Sequence, residues 1–217
     1  VAALRPLALF PGHGPPVLGE ARIALALGET ALYLEVIVKQ TLALINEGRP
    51  LNEILHTVAL PSRLHARPYL KPRYDDPRFI IRSVWREKCG WWDFDIATLT
   101  PPPQGVLAAQ VCALAEGGAL AVARRASALA SRAEAGGGLA VAHDAGAAEA
   151  AEAAALLDSA VQLVEYAARA VRGAGTAEVH RLRLRILNQK ERVEPALMTK
   201  SIFKAAAKDS ERVLAKL

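Results

Sequence analysis

Aromatic side chains are scarce in this chain of 217 residues: Phe, Trp and Tyr make up 5% of it, whereas hydrophobic residues make up 52%. The apolar residues are therefore mostly Ala, Leu and Val. Ala and Leu are strong helix formers, whereas strands favour β-branched and aromatic residues. We therefore expect a mainly α chain, long enough for one large core or two small ones.

Cysteine is also rare. Cys89 and Cys112 have neither the number nor the spacing for a disulfide framework or a zinc cluster. This usage favours the cytoplasm or another reducing compartment. No apolar run reaches eighteen residues, so we expect no membrane span. The opening residues, interrupted by Arg5-Pro6, are too short for a signal peptide, and the start at Val1 leads us to expect a natural N-terminus elsewhere.

Positive charge is in mild and uneven excess, with a net charge of +5 and a pI of about 9.4. Residues 63–88 carry eight Lys and Arg against three acids, and residues from 169 onward carry twelve against five. Such an excess admits a polyanionic partner. Helices with solvated Arg-rich faces explain it more simply, and no nucleic-acid-binding motif is present. We therefore do not expect a nucleic-acid partner.

Helical periodicity dominates the chain. Steps of three and four between apolar residues predict one helix from Glu20 to Glu47, ended by Gly48. Its predicted apolar stripe comprises Ile23, Leu27, Ala31, Leu34, Val38, Leu42 and Ile45. The helix would be about 40 Å long, more than a small domain needs. We therefore expect part of the stripe to face another chain.

Further helices follow from capping and turn signals. Asp76 as N-cap and Pro77 at the first helical position predict a helix that stops at Gly90. A short helix is expected from Pro50 to Val58, and the proline-rich residues 59–75 are expected to be irregular. The remaining predicted helices are 104–115, 118–134, 147–172, 176–193 and 196–216, the last three arranged as helical hairpins.

His13 is the strongest candidate for chemistry. The apolar run LALF (7–10) leads into PGHGPP, the pattern of a buried strand that runs into a turn. Flanking glycines leave the imidazole uncrowded, as a zinc ligand requires. A catalytic zinc needs about three protein ligands, and the other histidines (His56, His65, His143 and His180) are isolated. A Gly-His-Gly turn is more often structural than metal-binding; the alternative is that His13 is one ligand of a metal site whose other ligands lie outside this sequence.

PGHGPP resembles the late histidine turn of metallo-β-lactamase-fold hydrolases. Four segments after it resemble one branch of that family, the alkylsulfatase-like hydrolases with their dimerisation region. They are TALYLEVIVKQTLALINEGRPLNEI (30–54), LPSRLHARPYLKPRYDD (60–76), IIRSVWREKCGWWDFD (80–95) and LAEGGALAVARRASAL (114–129).

The resemblance, which covers roughly residues 9–130, and the composition of the remaining residues together lead us to expect four segments. Residues 1–19 form the C-terminal edge of an αββα hydrolase domain, 20–132 a helical dimerisation region, 133–155 an Ala/Gly-rich connection, and 156–217 the C-terminal hairpins. The resemblance further implies that His13 binds zinc in a two-zinc site, and that the chain forms a homodimer. The other zinc ligands would come from an upstream hydrolase domain or a separate chain, and the substrate would be a sulfuric or related ester with an apolar tail. This chain alone is then not catalytic.

Two departures from the family pattern weaken the assignment of a sulfate ester. Known alkylsulfatases usually carry Ser-His-His-Trp-Pro at the histidine turn, where this chain has residues 11–15 as Pro-Gly-His-Gly-Pro. Their Gly-Trp-Phe-Asp block is altered at residues 90–95. An alternative is a non-catalytic helical dimerisation or docking subunit derived from such a hydrolase, in which the upstream His-x-His-x-Asp-His cluster is missing.

Two clusters have alternative interpretations. Arg67, Tyr69, Arg73 and Tyr74 could hold an anionic substrate, since arginine forks suit sulfate or phosphate. The preferred alternative is a loop clamped onto a hydrolase domain or partner subunit. Trp85, Trp91 and Trp92 could line a substrate wall, but such clusters more often form a core or an interface.

Overall fold

The computed structural model describes residues 4–136 and 147–217, and the chain divides into two compact units at residues 99 and 100. The first unit contains β1 (Ala8–Leu9), β2 (Val17–Leu18), α1 (Glu20–Asn46), α2 (Leu51–Thr57), α3 (Ser62–His65), a 3₁₀ helix (Pro68–Leu70), α4 (Pro77–Cys89) and α5 (Ile96–Leu99). The second contains α6 (Gln104–Ala113), α7 (Gly118–Ala135), α8 (Ala147–Ala170), α9 (Thr176–Val193) and α10 (Leu197–Leu214). The predicted mainly α class is confirmed.

Helix α1 ends within one residue of the prediction, with Gly48 beyond it at a φ of 75°. The face that it buries within the chain differs from the predicted apolar stripe, part of which was expected to face another chain. The buried residues are Ile23, Glu29, Tyr33, Ile37 and Thr41. Only Ile23 belongs to the predicted stripe, and Leu34 is 42% exposed. Apolar residues occur on more than one face of α1, so periodicity alone does not select the face that meets the core.

Large side chains from several elements form the core of the first unit. The buried members are Tyr33, Ile37, Leu51, Ile54, Leu64, Leu70, Ile81 and Trp85. Helix α4 begins as predicted, because the Asp76 side chain accepts a hydrogen bond of 2.8 Å from the Arg78 amide. The segment 59–75, predicted to be irregular, contains α3 and the 3₁₀ helix. Leu64 and Leu70 in these short helices reach the core, which explains why they form between prolines.

Small side chains form the seam between α7 and α8 in the second unit. The seam residues on α7 are Val122, Ala123, Ala126, Leu129, Ala130 and Ala133. Those on α8 are Ala153, Leu157, Ala160, Val164 and Ala167, at alternating steps of four and three. This spacing is the heptad repeat of helices that pack along their lengths. Both helices lie within two residues of their predicted bounds, while residues 137–146 of the Ala/Gly-rich connection lie outside the described residues.

Helix α9 joins its neighbours through buried polar groups. Gln189 Nε2 donates to the Ala130 carbonyl of α7 at 2.8 Å. Lys190 Nζ lies 2.7 Å from Asp158 Oδ1 on α8 and 2.6 Å from Glu194 Oε1. Lys190 is only 6% exposed, and burying its charge is tolerable because carboxylates pair with it. These contacts fix α9 against both helices of the seam.

Two organisational predictions concern the whole chain. Among the described residues, no single helix is long and apolar enough to cross a membrane. Helices α6 and α7 satisfy that criterion only when taken together, and they are bent by 84°. The four-segment division at residues 19, 132 and 155 stays a prediction.

Candidate functional site

A short hairpin carries His13 at its tip. Strands β1 and β2 pair antiparallel, with Ala8 opposite Leu18 and Leu9 opposite Val17, and Gly14 in the connecting loop has a φ of 99°. The strand and turn were predicted, but within the described residues the expected burial of the apolar run is not seen. Leu7 is 73% and Phe10 74% exposed. Within the described residues α1 packs against the hairpin, and it leaves these side chains uncovered.

The imidazole of His13 is exposed and stands apart from other metal ligands. Across residues 4–136 and 147–217, no three His, Cys, Asp or Glu side chains come together in a group able to hold a metal ion. The described residues therefore do not by themselves make up a zinc site. His13 as one ligand of a site completed elsewhere stays a prediction.

The other histidines are no closer to a shared site. His56 and His65 are exposed in the first unit, His180 is half-buried in the second, and His143 lies outside the described residues. Burial raises the pKa of both the Cys89 and the Cys112 thiols, which disfavours the reactive thiolate.

Arg67 and Tyr69, two of the candidate substrate-binding residues, converge on a carboxylate of the chain itself. Arg67 donates from Nε at 3.1 Å and from Nη2 at 2.7 Å to Glu29 Oε1, and the Tyr69 hydroxyl donates to Glu29 Oε2. The Glu29 side chain is 10% exposed, that of Arg67 44%. We call these three residues the Glu29 latch. It fastens the proline-rich loop to α1.

Electrostatics in the Glu29 latch follow from these bonds. The hydrogen bonds from Arg67 and then Tyr69 lower the pKa of the Glu29 carboxyl. The hydrogen bond between Arg67 and Glu29 raises the pKa of Arg67, and the hydrogen bond between Tyr69 and Glu29 raises the pKa of the Tyr69 phenol. At neutral pH the latch is thus an anion held by a guanidinium and a neutral phenol.

Arg73 and Tyr74, the other two candidates, are exposed. The structure therefore joins Arg67 and Tyr69 through Glu29, and among the described residues it shows no hydrogen bond that brings Arg73 or Tyr74 into that group. The sequence interpretation missed Glu29. The signal that could have found it is its spacing: it lies four residues before Tyr33, in the row that continues through Ile37 and Thr41.

Two of the three tryptophans belong to the packing of the first unit. Trp85 is 2% exposed, and its Nε1 donates to the Trp92 carbonyl at 3.0 Å. Phe94 makes edge-to-face contacts with both, at centroid distances of 4.8 Å from Trp85 and 5.2 Å from Trp92. Trp91 is 78% exposed. Trp85 and Trp92 therefore agree with the preferred interpretation as core or interface, whereas Trp91 lies outside the core.

Helix α6 presents an unusual surface in the second unit. No charged residue lies between Asp95 and Glu116, and only Ala108 and Cys112 of α6 are buried. Val106 is 54%, Leu107 38% and Leu114, just after the helix, 88% exposed. Apart from Gln104 and Gln110, the exposed side chains of α6 are apolar or small.

Comparison with known proteins gives a consistent result. The sequence profile of the family described as alkyl sulfatase dimerisation matches residues 50–212. The linear primary-alkylsulfatase of a Pseudomonas species is 31% identical over 110 residues, which make up 50% of this chain and 21% of that protein. The alkyl/aryl-sulfatase BDS1 of Saccharomyces cerevisiae is 30% identical over 95 residues, 44% of this chain and 15% of that protein.

Solved structures agree at the level of the fold. The stereoselective inverting sec-alkylsulfatase Pisa1 from Pseudomonas sp. matches with a TM-score of 0.73 at 20% identity, over 94% of this chain and 28% of that chain. A double mutant of the sec-alkyl sulfatase PisA1 gives the same score at 21% identity. The chain thus spans only a minor part of the length of each of these relatives.

Proposed function

The chain belongs to the alkyl sulfatase dimerisation family, and from this premise we propose that it forms the homodimer contact of an alkylsulfatase-like hydrolase. The observation that carries the proposal is the family match over residues 50–212, which spans α2 to the last turn of α10. The likeness to sulfatases of two organisms supports a sulfuric or related ester with an apolar tail as the substrate of the whole protein.

The exposed surface of α6 is the proposed centre of the dimer contact. Contiguous exposed apolar surface marks interaction sites. The same patch on two copies can meet across a twofold axis, because α6 carries no charges that would repel each other there. Stable interfaces use roughly 20–30 residues on each side. Helix α6 therefore forms the middle of the contact, and neighbouring residues of the second unit complete it.

Sedimentation equilibrium of the purified chain tests this proposal. We expect a mass of twice 23.1 kDa, and we expect Leu114→Glu to shift the protein to monomer, because a carboxylate at the centre of the contact would be buried without a partner. Leu217→Glu is the matched control, since Leu217 is 73% exposed and lies beyond the family match. A dimer that survives Leu114→Glu would move the contact away from α6, and a monomeric wild type would refute the dimer.

The proposed second role of the chain is to supply His13 to a zinc site completed by a preceding hydrolase domain. Support comes from the exposed position of the imidazole at the hairpin tip and from the exposed Leu7 and Phe10 beside it. Apolar residues that flank a strand in this way are normally covered by a neighbouring layer. A hydrolase domain packed there would bury them and place His13 at its edge.

Zinc content measures this role. The chain alone is expected to bind Zn²⁺ no better than an exposed histidine does, with identical titrations for wild type and His13→Ala. In the protein that includes the residues preceding Val1, His13→Ala should lower the bound zinc, while His56→Ala should not. An upstream sequence without a His-x-His-x-Asp-His cluster would favour the non-catalytic docking subunit instead.

Among the four candidate substrate residues, Arg73 and Tyr74 keep their exposed side chains available for an anionic ester. We propose that Arg67 and Tyr69 act structurally, through the Glu29 latch, because their polar groups are already bonded to Glu29. Arg73→Ala in the zinc-loaded whole protein should then raise KM for a sulfate ester. An unchanged KM would remove Arg73 from the substrate site.

A further inference from the structure

A buried chain of hydrogen bonds links α8, α9 and α10. Arg183 on α9 is 8% exposed, and its Nε donates to Glu165 Oε1 on α8 at 2.6 Å. Its Nη1 donates to the Ala206 carbonyl at 2.7 Å and to Ser210 Oγ at 2.9 Å, both on α10. Ser210 is completely buried. Its hydroxyl is therefore out of reach as a nucleophile, and its hydrogen bonds must be satisfied inside the protein.

The next member of the chain is His180, whose Nδ1 lies 3.2 Å from Ser210 Oγ. A guanidinium only donates hydrogen bonds, so Ser210 accepts from Arg183 and still has its own proton to donate. Within the described residues, His180 Nδ1 is the acceptor that the structure offers to that proton. The bonding thus selects a neutral imidazole with its proton on Nε2.

Protonation of His180 would reverse this bond. A protonated Nδ1 is a donor, so the Ser210 hydroxyl would receive two donors and have no acceptor for its own proton. The imidazolium would also face Arg183 from its own helix. The groups that face it from the other helices are Glu165 on α8 and the neutral Ser210 on α10. Glu165 Oε2 also lies 3.4 Å from Arg169 Nη2.

We propose that His180 makes the docking of α10 on α9 sensitive to acid, because protonation of its Nδ1 leaves the buried Ser210 proton without an acceptor. This device lies in the second unit and uses none of the residues named for the dimer and zinc roles.

Electrostatics give the direction of the response. Burial first, and then the charge of Arg183, lower the pKa of His180, and Glu165 opposes them. The unfolded chain therefore binds the proton at a higher pH than the folded protein does. The stability contributed by neutral His180 is complete above the ordinary histidine pKa of about 6.5, and it is lost as the pH falls through the lowered value.

Two measurements on the full chain test the proposal. The ¹⁵N shifts of the His180 ring should identify the Nε2–H tautomer at neutral pH, and a proton on Nδ1 would overturn the proposal without any variant. Hydrogen exchange should show α10 protection factors falling on acidification, by roughly tenfold for each pH unit that separates the folded and unfolded pKa values.

His180→Asn supplies the matched variant, because its Oδ1 can accept from Ser210 and does not titrate. Its α10 protection factors should stay constant across the pH window in which those of the wild type fall. His56→Asn, at an exposed histidine of α2, should keep the wild-type response. If His180→Asn responds to acid as the wild type does, His180 is not the sensor.

Discussion

The two units reach a stable interior by different routes. The first unit surrounds Trp85, Tyr33 and Ile37 with short helices and loops, whereas the second packs long helices along a seam of alanines. A large side chain meets neighbours from several directions, so it can organise irregular backbone. A methyl group reaches a neighbour only if the helix axes come close, and this requires long regular helices. The size of the core side chains therefore matches the regularity of each unit.

The charged groups of the two units differ in how deeply they are buried. In the first unit the Glu29 latch ties one loop to one helix, and its arginine is nearly half exposed. In the second unit Arg183 and Lys190 are almost fully buried and each joins α9 to other elements. Ion pairs hold a loop in place in the first unit and are part of the interior in the second.

The strongest test of the comparison removes the central side chain of the first unit. Trp85→Ala should lower the free energy of unfolding by about 3–5 kcal/mol, because Trp85 is buried and also donates to the Trp92 carbonyl. Trp91→Ala, at an exposed position, should change it by less than about 0.5 kcal/mol. Urea unfolding followed by circular dichroism measures both. Equal effects would mean that Trp85 does not organise this unit.

An increase in side-chain volume tests the second unit, because overpacking of the seam should lower the free energy of unfolding. Ala160→Leu places a larger side chain in the seam at a fully buried position, and overpacking typically costs about 1–3 kcal/mol. Ala155→Leu, on an exposed position of the same helix, should be close to neutral. The same urea titrations apply. A tolerated leucine at position 160 would show that the seam is loosely packed.

The smallest expected effect concerns the Glu29 latch and is a pH dependence. Because its pKa is lowered in the folded protein, ionised Glu29 stabilises the first unit fully above the ordinary glutamate pKa, and this stabilisation is lost as the pH falls through the lowered value. Glu29→Gln should remove that part of the acid dependence of unfolding. Glu35→Gln, on an exposed position of α1, should retain it. A Glu29→Gln profile that parallels the wild type would show that the latch contributes nothing.

Helix boundaries could be read from the sequence because they are set by local chemistry. Asp76 with Pro77, Gly48 and Gly90 each acted as predicted. The buried face of α1 could not be read, since its apolar residues lie on several faces and tertiary packing selects one of them. The short helices between prolines were missed for the same reason, because Leu64 and Leu70 are ordered by the core they reach.

The candidate sites divide similarly. The hairpin tip at His13 followed from glycine and proline positions close in sequence. The Glu29 latch joins residues far apart in sequence, and no local pattern connects Glu29 to Arg67 or Tyr69. Which charged group faces which is decided when helices meet. The sequence therefore identified Arg67 and Tyr69 as notable and favoured a clamped loop, but it could not name Glu29 as the group that holds them.

The alanine seam leaves the register of α7 against α8 to be fixed by other contacts. A repeat of methyl groups looks much the same after a shift of one heptad, so the seam by itself specifies its register weakly. Polar contacts from α9 fix the register instead. The Gln189 amide donates to the Ala130 carbonyl on α7, and Lys190 pairs with the Asp158 carboxylate on α8. Any slip would strand these buried groups without partners. Apolar contacts thus hold the second unit together, and the polar contacts of Gln189 and Lys190 determine the register of its helices.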